Sequence, residues 1–350
     1  MSFSDDVPRV AVIILNWNGW EDTIECLESL YQINYPNYQV ILIDNASTDD
    51  SIQEIRKYCQ GTLKPQSKFY TYQTKNKPIK ITEYTEKEVK NLEIFESHNF
   101  KPDKNLILIK NFDNHGFAGG NNIGMQFALE KIQVDYVLLL NNDTLADKNF
   151  ITELINASEK EPKIGIAGSK LLNAYDTEII DSTGHIIKWG RIVDRGHGEI
   201  DKNQYDHKKD VVGAMAAAAL YKSHMLKEVG LLDESFITLG EDAELSMRSH
   251  KFGWKAKFVP ESIVYHKRGK SITKRDVINR MTVLSTKNTT ENVLRYGTSK
   301  EKVFYSFVLI KEGMFVVFGS LLKRNTMKTW DYTKLILKSY KKIICSLFKS

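Results

Sequence analysis

The residues best placed to do chemistry in this chain sit directly behind short apolar runs. The run YVLLL, residues 136–140, ends in Asn141, Asn142 and Asp143. One carboxylate flanked by hydrogen-bonding amides, just past a buried strand, suits a hard divalent cation. Mg²⁺ or Mn²⁺ takes one or two carboxylates and fills its shell with phosphate oxygens, while the amides suit ribose or phosphate. The same pattern recurs. Asn16, Trp17 and Asn18 follow VAVIIL, Asp44 and Asn45 follow QVILI, and NFDNHGFAGGNN, residues 111–122, follows LILI. Asn, Asp and Gly are ordinary turn and capping residues, so any one of these is uninformative. Four consecutive strand ends carrying amides and acids point to one shared site, with the chemistry of a nucleoside diphosphate.

A second cluster lies in TLGEDAELSMRSHKFGW, where Glu241 and Asp242 open a helical pattern. Acids there also complement the helix dipole, whatever else they do. His266 closes the β-type run SIVYH, and Lys267, Arg268 and Lys270 follow in a basic loop. His185, His197 and His207 lie in a polar stretch and receive no role.

The elements that must position these residues alternate. VAVIIL, QVILI, LILI and YVLLL read as buried strands, and helical patterns lie between them, with acids in the first turns of the first two. The economical reading is an α/β fold with a doubly wound, mostly parallel sheet, which binds ligands outside the carboxyl ends of its strands. Residues 62–105 are charged and weakly periodic, and read as a surface insertion. GAMAAAALY, residues 213–221, reads as a buried strand of small side chains beside the site. The first βα turn, NWNGWED, lacks GxGxxG, and no GxxxxGK[ST] or GxSxG occurs, which removes dinucleotide, P-loop and α/β-hydrolase chemistry.

At 42% hydrophobic and 27% charged, the composition is that of a globular chain. Cys26, Cys59 and Cys345 show no CxxC spacing, and the N-terminus has no apolar signal region, so a reducing, cytoplasmic setting is expected. The net charge of +5 is concentrated in the tail, where residues 300–350 hold eleven Lys and Arg against three Asp and Glu. Nothing calls for nucleic acid.

The stretches VAVIILNWNG, VILIDNASTDDS, NHGFAGGNNIG, YVLLLNNDT, GLLDESFITLGEDAELSMRSHKFGW and VPESIVYH resemble, in order and spacing, the family-2 inverting glycosyltransferases with a GT-A fold. Within that family they look most like the rhamnosyltransferase-like subgroup of bacterial surface polysaccharide synthesis. The resemblance implies nucleotide contacts from Asn16 and Asp44 to the base, and from Asn121 and Asn141 nearer the ribose and diphosphate. Asn18, Asn45, Gly116, Asn122 and Asn142 belong to the same nucleotide-sugar set. It implies Asp143 and His266 as ligands of Mg²⁺ or Mn²⁺, Asp242 as general base and Glu241 as the neighbour that orients the acceptor or Asp242 itself. The family's DxD motif reads Asn141, Asn142, Asp143 here, so one carboxylate is an amide. The donor implied is dTDP-L-rhamnose, with a UDP-hexose as runner-up, and the acceptor is a lipid-linked glycan. A sugar-nucleotide nucleotidyltransferase would want a Gly-rich basic loop after the first strand. A non-catalytic nucleotide-sugar-binding partner would not need Asp143, Asp242 and His266.

The catalytic GT-A domain, with its acceptor-side subdomain, is expected over residues 1–270 and a helical tail over 271–350. Residues 303–322 are long enough to span a bilayer, but Lys311 and Glu312 at their middle favour two short apolar segments at an interface. From Trp330 to Phe348, Ile336, Tyr340, Ile343, Ile344 and Leu347 alternate with lysines as in a basic amphipathic helix. That suits anionic lipid on the inner face of the cell membrane, with packing on the catalytic domain or a homodimer contact as the alternative.

Overall fold

The computed structural model describes residues 7–92, 105–268, 275–323 and 326–347. Lys270 of the basic loop, residues 93–104 of the expected insertion and Phe348 lie outside the described residues.

The first βα units form as the apolar pattern requires. Strand β1, Val10–Asn16, is followed by helix α1, Trp20–Leu30, with Glu21 and Asp22 in its first turn. Strand β2, Tyr38–Asp44, is buried throughout and leads to α2, Ser51–Gln60, which stops at Gly61 in the left-handed region at φ +83°. Strands β3, Lys80–Thr85, β4, Asn105–Lys110, and β5, Tyr136–Leu140, complete a parallel set in the order β5-β1-β2-β4-β3. Beyond β5 the sheet turns mixed. Strand β12, Ala218–Lys222, runs antiparallel to both β5 and β7, Ile164–Asn173, and β13, Lys255–His266, runs parallel to β7.

Both faces of the sheet are covered. Val10, Val12 and Ile14 of β1 point into one core with Leu27, Leu30, Val40 and Leu42; Ala11 and Ile13 point into the other with Ile41, Ile43 and Met125. Replacing a side chain such as Ile13 by alanine in this packing is expected to cost about 2–5 kcal/mol. Helix α4, Gly116–Phe127, lies unusually close to the strands. A Cβ at Gly124 would stand 2.8 Å from Ile13 Cγ2, and one at Gly120 would stand 2.6 Å from Leu15 Cδ1. The glycines bring Asn121 and Asn122 down onto the sheet's carboxyl edge.

Two sequence expectations change. Residues 62–105 are more than a solvated excursion, because they supply edge strand β3, paired in parallel with β4, and a buried anchor. The carboxylate of Glu28, fully buried on α1, accepts from Lys77 Nζ at 2.9 Å, Tyr58 Oη at 2.9 Å, Gln32 Nε2 at 2.8 Å and the Gln73 amide at 2.8 Å. The tail differs too. Residues 303–322 lie within one helix, α9, Ser299–Lys323, which packs on α10, Thr326–Leu347, through Tyr305, Leu309, Ile336 and Ile343. Much of the apolar face expected to meet lipid from α10 is therefore buried against α9. No helix among the described residues is long and apolar enough to cross a membrane.

Candidate active site

The carboxyl ends of β1, β2, β4 and β5 bring the predicted amides and acids to one edge, where many of them brace one another. Asn16 donates to Asp44 Oδ1 at 2.9 Å and accepts from Thr23 Oγ1 at 2.8 Å; Ser47 donates to both Asp44 oxygens, through Oγ at 2.6 Å and its amide at 3.1 Å. Asn18 Oδ1 receives the Thr48 amide at 2.7 Å. Asn45 donates to Asn114 Oδ1 and the Gly116 carbonyl and accepts from Asn111 and the His115 amide. Asn121 donates to the Phe117 carbonyl one turn back. Asn122 is bound from both ends of its carboxamide to Leu232 and donates to Glu234. Asn142 donates to Thr23 Oγ1 at 3.0 Å. These amides shape the loops of the edge. From the strand-end trio, Asn141 and Asp143 line the central cavity of about 460 Å³ and Asn142 does not.

Asp143 and His266 meet because β6, Thr144–Ala146, pairs antiparallel with the end of β13, in a register that sets Thr144 opposite His266. The Lys267 amide closes the corner on the Asp143 carbonyl at 2.9 Å. His266 Nε2 stands 3.2 Å from Asp143 Oδ1, and Nδ1 stands 2.7 Å from Asp181 Oδ2. Burial works to lower the imidazole pKa, but the hydrogen bonds to the two carboxylates prevail and raise it to about 9. Asp181 resists its own burial and falls to about 2 through His266 and Arg268. Arg268 reaches Asp181 at 2.9 Å and Asp194 at 3.2 Å.

The pair fits a divalent cation. A separation of 3.2 Å suits two neighbouring ligands on a small metal ion, and Asp181 on the far nitrogen is the carboxylate partner that fixes a ligating imidazole. Among the described residues no group of three or more His, Cys, Asp or Glu side chains forms a metal site. The protein side of such a site would thus be two ligands, leaving positions for phosphate oxygens and water, as Mg²⁺ favours.

Glu241 and Asp242, which line the same cavity, are the first two residues of α7, Glu241–Lys251. The loop before it holds Ile237, Leu239 and Gly240 at positive φ. It is clamped from α8, Arg275–Tyr296, whose Asn288 Nδ2 donates to the carbonyls of Phe236, Thr238 and Leu239 at 2.8–2.9 Å. The tail's first helix is therefore part of the site rather than an appendage. Asp242 Oδ2 accepts the Ala216 amide at 3.1 Å and lies 3.9 Å from His185 Nε2. Glu241 is 5% exposed, its Oε2 has no hydrogen-bond partner, and burial followed by the charge of Asp242 lifts its pKa to about 8.

Sequence reading missed Asp181, Asp194 and His185. Asp181 lies on the short strand β8, Ile180–Ser182; His185 and Asp194 start and end the hairpin of β9, His185–Lys188, and β10, Arg191–Asp194. His185 Nε2 is 3.3 Å from Asp194 Oδ1. The one signal was the cluster DSTGH itself, two titratable residues around a glycine. Of the basic loop, Lys267 is bound by Asp22 at 2.6 Å and Glu25 at 2.8 Å and does not line the cavity, whereas Arg268 does.

A mixed α/β sheet with amides and acids at its carboxyl edge, a single carboxylate beside a histidine and acids at a facing helix start defines a GT-A-like transferase. The chain belongs to glycosyltransferase family 2: it matches the family described as "Glycosyltransferase like family 2" over residues 73–282 and "Glycosyl transferase family 2" over residues 11–81. It is similar to the poly-beta-1,6-N-acetyl-D-glucosamine synthase of Staphylococcus epidermidis, 22% identical over 74% of this chain and 50% of that protein. It is also similar to a low-salt glycan biosynthesis hexosyltransferase of Haloferax volcanii, 25% identical over 39% of this chain and 44% of that protein. The chain thus spans about half the length, or less, of these curated relatives. In fold it resembles a mannosyltransferase from Pyrobaculum calidifontis solved with GDP-Man and Mn²⁺, at a TM-score of 0.53 and 13% identity over 97% of this chain and 87% of the other. It resembles S. aureus TarS equally, at 0.53 and 13% over 96% and 81%.

Proposed function

We propose that the protein is an inverting, metal-dependent glycosyltransferase that moves a sugar from a nucleoside-diphosphate donor to a lipid-linked glycan in surface polysaccharide synthesis. It would work at the cytoplasmic face of the cell membrane as a peripheral protein, with residues 1–270 as the transferase domain and 271–350 as a helical region that completes the site and meets the bilayer. The observation that carries the reading is one cavity lined by Asp143 and His266 together with Asp242 and Glu241.

In this mechanism the nucleotide lies along the edge formed by Asn16, Asn18, Asp44, Asn45, Gly116, Asn121, Asn122, Asn141 and Asn142, several of which hold the loops that receive it. Asp143 and His266 would hold a Mg²⁺ or Mn²⁺, which would supply positive charge beside the leaving diphosphate. Asp242 accepts the proton of the acceptor hydroxyl as its oxygen bonds to the anomeric carbon. The bond from that carbon to the diphosphate oxygen breaks on the opposite face, and the nucleoside diphosphate departs. Glu241, whose burial and the charge of Asp242 favour its neutral form, holds a proton beside that base and can donate a hydrogen bond to the acceptor. dTDP-L-rhamnose is the favoured donor on the motifs of the rhamnosyltransferase-like subgroup. A UDP-hexose is the second reading, favoured by the hexosyltransferase and glucosamine-polymer synthase named among the relatives. The deciding experiment is a thermal-shift panel of dTDP, UDP and GDP with and without Mn²⁺, followed by donor hydrolysis with the sugars of whichever base stabilises. Absence of metal-dependent stabilisation by all three would refute the donor class.

A further inference from the structure

The outward face of α9 is apolar. Val303, Phe307, Ile310 and Met314 recur at the spacing of one helical stripe, all exposed, Phe307 by 63%, and Phe304 flanks them. The charges interleaved with that stripe are Lys300 and Lys311, both exposed. The acids of the helix point elsewhere: Glu312 binds Arg191 at 3.0 Å, and Glu301 receives the Thr298 amide at 2.7 Å. The stripe continues onto the β9-β10 hairpin. Trp189 at its turn is 62% exposed and meets Phe304 edge-on, with ring centroids 6.4 Å apart. The turn is pressed against α9 so tightly that a Cβ at Gly190, at φ +73°, would stand 2.0 Å from the Glu301 carbonyl oxygen.

We propose that Trp189 and the Val303–Met314 face of α9 form a single docking surface for an anionic lipid bilayer. The surface is apolar, its charges are all cationic, and the segment from residue 300 onward holds eleven Lys and Arg against three Asp and Glu. With no described helix able to cross a membrane, it lies at the interface, where apolar burial and attraction to anionic headgroups add. The cavity lined by Asp143 and His266 is also lined by Gly190, next to Trp189, and by Glu301 on α9, so it adjoins this surface. An acceptor saccharide carried on lipid is thereby offered to the cavity from the bilayer side. That last step rests on the transferase reading; the docking surface does not.

The test uses the full chain and sedimentation with vesicles of phosphatidylcholine alone or mixed with phosphatidylglycerol. Wild type should bind the mixed vesicles, less so in high salt. The double variant Phe307→Ser/Ile310→Ser should bind at least about ten-fold more weakly, with Trp189→Ser shifted in the same direction. None of these residues lines the cavity, so calorimetric titration with dTDP and UDP should be unchanged. Wild type that ignores mixed vesicles, or variants that bind them like wild type, would overturn the proposal. So would wild type that light scattering shows to be a dimer split by the same substitutions, since the face would then join two copies. Loss of all nucleotide binding in wild type with vesicle binding intact would remove the transferase reading and leave the surface standing.

Discussion

His266 Nε2 stands 3.2 Å from Asp143 Oδ1 while its Nδ1 stands 2.7 Å from Asp181 Oδ2, so one imidazole links a carboxylate in the turn after β5 to one on strand β8. If the Asp143 side holds a metal ion, Asp143→Ala should abolish the extra melting temperature that Mn²⁺ adds to a nucleoside-diphosphate complex. Asp181→Asn should weaken metal affinity by about 10–100-fold without removing it, as substitutions of carboxylates behind ligating histidines do. Titrating Mn²⁺ by calorimetry distinguishes the two, and equal affinity in all three proteins would dissociate this pair from metal binding.

The same contact sets a pH dependence. His266 rises from an unfolded value near 6.5 to about 9 in the fold. The stability it contributes is complete below pH 6.5 and is lost as pH climbs through 9. Glu241, raised from 4.5 to about 8, acts with the same sign, because the fold favours its neutral form and loses that preference as pH rises toward 8. Metal-free protein should therefore melt at progressively lower temperature from pH 6.5 to 9, whereas Mn²⁺ affinity should increase over that window as the proton on His266 becomes easier to displace. A melting temperature that rises over that interval contradicts both assignments. His266→Gln should flatten part of the slope, and Glu241→Gln the rest.

Glu28 anchors the segment that looked from its composition like a solvated insertion. Its carboxylate is fully buried and so is most of Lys77. Removing one partner leaves an uncompensated charge, at a cost of about 3–5 kcal/mol. Glu28→Ala should thus lower stability by that order in urea unfolding, and Lys77→Met should cost less, because Glu28 retains Tyr58, Gln32 and the Gln73 amide. A change below 1 kcal/mol in Glu28→Ala would mean that residues 70–79 do not depend on this anchor.

That anchor shows where sequence reading stopped. The buried strands Val10–Asn16, Tyr38–Asp44 and Tyr136–Leu140 were legible because each is nearly uniformly apolar and ends in, or is followed directly by, an amide or acid. Strand Lys80–Thr85 was not, since KITEYT lies at the sheet edge, partly exposed, and carries no apolar run. The positions of Asn45 and Asn122 were legible, but not that neighbouring backbone would occupy their carboxamides, because hydrogen-bond partners are a tertiary property. Asp181, Asp194 and His185 were missed for the same reason. They lie on strands of three or four residues, too short for periodicity, and their ionic partners come from other segments.

The division of labour between Glu241 and Asp242 gives the sharpest test of mechanism. A general base acting on the acceptor is worth about 10²- to 10⁴-fold in rate, so Asp242→Asn should lower turnover by that order at saturating donor and leave donor affinity unchanged. Glu241→Gln should behave differently. It keeps a hydrogen-bond donor and removes the group whose burial makes ionisation costly, so it should retain most activity below pH 8 and stabilise the fold relative to wild type by an amount that grows from pH 4.5 and levels off near 8. Asp242 also receives the Ala216 amide at 3.1 Å, and a carboxamide oxygen can accept that bond, so a purely structural role predicts an active Asp242→Asn with a small shift in melting temperature. Sugar transfer, donor affinity and melting temperature measured together separate these cases. Near-normal turnover in Asp242→Asn would exclude it as the base, and a larger loss in Glu241→Gln would move that function one residue back along the helix.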